Sequence, residues 1–152
     1  MPQTSDRIQQ LWQLLLTIDA FTYESRPGEQ SKTDWHGHGE GVVSLEQQHD
    51  TIHFVEQGWF QLAHGARVDT VNRFIWQRSA RGVHLSHGRR GAPVYLFELV
   101  PQPDGTWCSE QQHVCIDDHY WGTLRLTEVG FEFVWHIRGP KKEENLIYHY
   151  HS

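Results

Sequence analysis

The chain is poor in thiols, in positive charge and in continuous apolar sequence, and each shortage removes a class of function. Only two cysteines, Cys108 and Cys115, occur in 152 residues, too few for a disulfide-dense scaffold. They stand seven positions apart. An extended stretch of that length reaches roughly 20 Å, so a bridge requires a sharp reversal, and both are expected as free thiols. Thirteen Lys and Arg against 19 Asp and Glu leave a net charge of −6. That is the wrong sign for a basic stripe, and no nucleic-acid partner is expected. No run approaches the roughly 18–20 apolar residues that span a bilayer, and "MPQTSDRIQQ" lacks the basic and apolar regions of a secretory leader. The expectation is therefore a cytoplasmic protein with no membrane partner.

Aromatic residues are plentiful: 7 Trp, 7 Phe and 5 Tyr, enough to give a chain of this length a large buried area. The first segment reads as a helix over about 5–21, capped by Ser5 or Asp6. Ile8, Leu11, Trp12, Leu15 and Ile18 recur on one face at helical spacing. A linker with Pro27, Gly28 and Ser31 follows. Beyond it the pattern changes to short β-prone runs near 34–38, 40–46, 51–56, 58–63, 67–77, 82–86, 94–100, 110–116, 119–127, 131–138 and 146–151. Separators such as "HGA", "SARG", "QPDG" and "RGPKKEEN" supply the turn residues. Strict alternation puts Phe131, Phe133, Trp135 and Ile137 on one face, with Glu132, Val134, His136 and Arg138 on the other.

About ten strands without intervening helices predict a mainly β, antiparallel, up-and-down barrel over about 33–151, its one N-terminal helix capping a mouth. A single domain over 1–152 is expected.

The densest chemistry lies in "HVCIDDHY", which holds His113, Cys115, Asp118 and Tyr120. Regular alternation would separate His113 from Asp118 and Tyr120, but a bend at Asp117–Asp118 would turn all of them toward one cavity. Beside a structural role, in which His113 and Asp118 tie down a turn and Tyr120 packs in the core, three chemistries remain open. The group could line a binding cavity. Asp118 with His113 could transfer protons in an isomerase- or lyase-type reaction. Twelve histidines, among them the i, i+2 pairs His36/His38 and His149/His151, could serve a metal or haem. No CxxC or HExxH pattern accompanies them, so no metal or other cofactor is expected.

The phrases "FVEQGWF", "RFIW", "HVCIDDHY", "FVWHIRGPKK" and "IYHYH" follow the order of a bacterial and fungal family classed as a domain of unknown function. The chain resembles it from about Gly39 to its end. The resemblance implies a lipocalin-like (calycin-like) barrel and supplies no activity. It rests chiefly on His-x-Cys-x-x-Asp-x-Tyr and Trp-x-Ile-x-Gly-Pro-Lys-Lys, with Glu56, Arg73, Trp76 and Tyr150 as further matching positions. "HGRRGAPVYLFEL" departs from the family pattern.

Together these readings predict a barrel that binds a small, largely apolar or aromatic molecule. Glu56, Arg73, Trp76, His113, Cys115, Asp118, Tyr120, Trp135 and Tyr150 are the ligand-binding candidates, and none is assigned a catalytic role. A homodimer is the oligomeric alternative left open.

Overall fold

The computed structural model describes residues 3–28, 36–88, 92–111, 113–115 and 117–152; the Cys115 side chain lies outside the described set. The described residues form helix α1 (Thr4–Leu15) and eleven strands. These are β1 (Ala20–Pro27), β2 (Gly37–Gln48), β3 (Thr51–Leu62), β4 (Arg67–Arg78), β5 (Val83–Gly88) and β6 (Pro93–Pro101). They continue as β7 (Trp107–Ser109), β8 (His113–Cys115), β9 (Asp118–Leu126), β10 (Gly130–Arg138) and β11 (Glu143–His151).

Every pairing is antiparallel, and β1 pairs with both β2 and β11 while β10 pairs with both β9 and β11. The sheet therefore closes into a ten-stranded barrel, and β8 adds a short arm to β9. Closure removes the free edges that an open sheet of this length would expose.

Helix α1 is shorter than its periodicity predicts. Its hydrogen bonding ends at Leu15, where Thr17 Oγ1 and the Thr17 N–H both turn back to the Leu14 carbonyl. The stretch that follows is rich in β-branched and aromatic residues: Thr17, Ile18, Phe21, Thr22 and Tyr23. Ala20–Pro27, read from sequence as the helix end and a linker, instead pair on one side with β11 and on the other with β2. Tertiary pairing overrides the helical pattern there.

The expected apolar face is nevertheless the buried one: Ile8, Leu11, Trp12, Leu15 and Ile18 are all in the core. Arg7 donates to the carbonyls of Gln102 (2.7 Å) and Thr106 (3.2 Å), while the Arg78 guanidinium lies 4.7 Å from the Trp12 ring centre. The helix thus closes one end of the barrel. Gln3 occupies the N-cap position without a side-chain cap, so neither Ser5 nor Asp6 caps the helix.

Other strand boundaries also shift. The runs near 40–46 and 34–38 belong to one strand, β2, as far as it is described; Asp34 and Trp35 lie outside the described residues. The runs near 51–56 and 58–63 are likewise one strand, β3. The break anticipated at Gln57 is absent: Gln57 pairs with Val42 and Gly58 with Gly41 in unbroken register.

Glycine has a packing role on β2. Gly37, Gly39 and Gly41 take successive inward positions. A Cβ at Gly39 would collide with the Trp59 carbonyl and the Tyr23 ring; one at Gly41 would meet the Gln57 carbonyl and the Phe21 ring. Rings from β1 therefore lie directly on the β2 backbone. They continue a ladder of near-parallel rings around the barrel. Tyr23 stacks on Phe60 (21°) and on Tyr148 (7°), Tyr148 on Tyr150 (11°), and Tyr150 on Phe131 (22°). The half next to α1 is filled by side chains such as Phe54, Trp76, Phe97, Trp107 and Phe133, all essentially inaccessible.

Candidate functional site

The end of the barrel away from α1 holds a cavity of about 340 Å³, within the usual range for small-molecule sites. Its position follows from strand alternation. The inward residues nearest that end are Thr70, Asn72 and Phe74 on β4, His87 on β5, and Tyr120 on β9. Trp135 and Ile137 on β10, Leu146 and Tyr148 on β11, and Tyr23 on β1 complete the circuit. Two irregularities bring in the rest.

A bulge between β5 and β6 pairs Leu85 with Phe97 but Ser86 with Tyr95. The extra residue, Leu96, lines the cavity, while Tyr95 is left 48% exposed. The second irregularity lies between β7 and β8. Cys108 stands opposite Thr123 and His113 opposite Tyr120, so five steps on one strand match three on the other. The Ser109 hydroxyl accepts the Gly122 N–H (3.1 Å) where the ladder is interrupted.

The bend anticipated within "HVCIDDHY" is a full reversal. Cys115 stands opposite Asp118 and His113 opposite Tyr120 in a tight hairpin. His113 and Tyr120 both line the cavity, with ring centres 6.2 Å apart. Asp118 is aimed elsewhere. Its Oδ2 lies 3.6 Å from Lys142 Nζ, and its Oδ1 lies where a Cβ on Gly139 would be. The phrases "HVCIDDHY" and "FVWHIRGPKK" thus meet at the rim. There Pro140 and Lys141 form the two-residue turn between β10 and β11, closed by the Gly139 N–H to Lys142 carbonyl bond (2.9 Å).

A model of a family of unknown function (DUF6314) matches residues 12–152. The chain belongs to that family. Neither a curated protein nor a solved structure matches it significantly.

In this DUF6314 member the remaining sequence candidates fall into three places. Trp135 lines the cavity. Glu56, Trp76 and Tyr150 are buried in the barrel and do not contribute to the cavity lining. Arg73 lies on the outer wall, where it pairs with Glu46 and approaches His53 Nδ1 at 2.9 Å. The position of the Cys115 side chain lies outside the described residues.

Glu56 is the buried carboxyl among these groups. It is 1% exposed, its Oε2 accepts the Tyr150 hydroxyl at 2.7 Å, and among the described residues its Oε1 has no hydrogen-bond partner. Burial raises its pKa from 4.5 to about 8, against the lowering effect of the Tyr150 bond. Its charge in turn opposes ionisation of Tyr148 and Tyr150, whose pKa values burial already pushes well above the ordinary phenol value. The carboxyl therefore lies behind the tyrosine ladder.

Tyr23, Thr70, Asn72, His87 and Tyr148 are cavity residues absent from the sequence candidates. Alternation alone points to most of them: Thr70 and Asn72 step back by twos from Phe74, His87 follows Val83 and Leu85, and Tyr148 precedes Tyr150. Among the described residues no three His, Cys, Asp or Glu side chains gather as a metal site. No helix among them is long and apolar enough to cross a membrane.

Proposed function

We propose that this chain binds a small, largely apolar or aromatic molecule in the cavity at the open end, in the manner of a calycin-like barrel. The observation that carries this reading is the lining itself. Trp135, Tyr148, Tyr23, Phe74, Leu96 and Leu146 surround a volume of about 340 Å³ with a few polar groups set among them. The Asp118 carboxylate faces the β10–β11 turn, which favours binding over proton transfer by Asp118 and His113. A cytoplasmic setting accords with Cys108, which is a free thiol.

The test is titration with the neutral fluorophore N-phenyl-1-naphthylamine, alongside native mass spectrometry for stoichiometry and subunit count. One probe per chain is expected, with binding abolished in Leu96→Trp, where the larger side chain fills the cavity. Undiminished binding in that variant, with a native circular dichroism spectrum, would refute the site.

A further inference from the structure

Apart from the tyrosine hydroxyls of Tyr23 and Tyr148, the polar groups of the cavity all fall on one arc, where they alternate with Phe74 and Leu96. Going around the barrel, β10, β11 and β1 contribute Trp135, Ile137, Leu146, Tyr148 and Tyr23, a continuous and largely aromatic wall. The opposite arc, from β4 to β9, carries Thr70, Asn72, His87, His113 and Tyr120. This second arc is rich in N–H and O–H groups. An imidazole offers an N–H in either tautomer, and amide and hydroxyl groups add further donors. Among the described residues that line the cavity, none is Asp or Glu. Two buried carboxyls stand outside the lining: Glu56, behind the tyrosines of the apolar wall, and Glu144, opposite Ile137 on β11.

Resting on the proposed binding role, we propose that the ligand is a planar aromatic molecule bearing an anionic acceptor group, such as a carboxylate. The ring system lies against the Trp135–Tyr148–Tyr23 wall, and the acceptor group turns toward His87 and His113. A cationic ligand would meet no carboxylate among the described lining residues. A purely apolar ligand would bury this polar arc without adding any hydrogen bond to it, which disfavours it.

Three probes of one shape separate these cases: 2-naphthoate, 2-methylnaphthalene and 2-naphthylmethylamine, each measured at pH 7 by isothermal titration calorimetry and tryptophan quenching. The naphthoate is expected to bind about tenfold or more tightly than the methylnaphthalene, as one charge-assisted hydrogen bond would provide. The amine is expected to bind most weakly. In His113→Leu and His87→Leu the ratio of naphthoate to methylnaphthalene affinity should fall, and continued methylnaphthalene binding reports that the cavity is intact. His113→Asn retains a donor and should keep part of the advantage.

Equal affinity for naphthoate and methylnaphthalene, or a preference for the amine, overturns the inference and leaves the apolar site standing. An undiminished naphthoate preference in both leucine variants overturns the role of the histidines. Failure of all three probes to bind overturns the proposed function itself.

Discussion

Glu56→Gln removes an ionisable group from the barrel interior while leaving an oxygen that can accept the Tyr150 hydroxyl. In the unfolded chain a glutamate ionises near 4.5, whereas in the folded barrel burial holds the proton until about pH 8. Between those values the native state binds the extra proton, so the Glu56 contribution to stability is fully present below about pH 4.5 and is lost as pH rises through about 8. At about 1.4 kcal/mol per pKa unit, the decline is about 3 kcal/mol by pH 7 and on the order of 5 kcal/mol above pH 8.

His136 titrates in the opposite sense. Burial lowers its pKa from 6.5, aided by Arg138 and opposed by the bond to Asn145. Its contribution is present above about 6.5 and lost as pH falls through the folded value. Because His136 is present in both proteins, the difference between variant and wild type isolates Glu56. Urea unfolding at pH 5, 7 and 8.5 should show near-equal midpoints at pH 5 and an increasing advantage for Glu56→Gln above it. Parallel pH profiles for the two proteins would refute the buried, proton-holding carboxyl.

Leu15→Ala should lower stability by about 2–5 kcal/mol in urea unfolding, because Leu15 is fully buried where the helix closes the barrel; an unchanged midpoint would show that α1 is not docked. Gly39→Val should be strongly destabilising or should prevent folding, since its Cβ meets the Trp59 carbonyl and the Tyr23 ring. The measurement is soluble yield together with thermal midpoint. Asp118→Asn should change unfolding free energy by less than about 1 kcal/mol, because its pair with Lys142 is partly exposed.

Alternation made most of the barrel readable in advance. On β10 the buried residues are Phe131, Phe133, Trp135 and Ile137, as the spacing of two requires. β1 was hidden because "LLLTIDAF" continues a helical apolar spacing, and only its partners on β2 and β11 decide for strand. β7 was hidden for a related reason: three residues carry too little pattern to be seen, and their pairing with β6 and β9 defines them.

The candidate site was legible in kind more than in membership. His113, Tyr120 and Trp135 reach the cavity, but the family phrases pointed to Glu56 and Arg73, and the polar run "HVCIDDHY" to Asp118, whose partners lie behind the wall, outside the barrel and at the rim. Whether a polar side chain points to a guest or to its own scaffold depends on strand parity and on the two register irregularities. The bulge at Leu96 and the insertion before His113 involve pairing between strands, which no single segment records.

The inward glycines of β2 have a consequence for how much the barrel can hold. A strand normally screens the lumen with its own side chains, but along Gly37, Gly39 and Gly41 that screen is borrowed from neighbouring strands, with Tyr23 and Tyr148 as its cavity-facing panels. Room for a guest is therefore set in this sector by two aromatic rings and hardly at all by the backbone. Sequence changes at Tyr23 or Tyr148 can enlarge or reshape the space while the strand ladder stays in register, whereas the glycines beneath them can change only by displacing the rings into it.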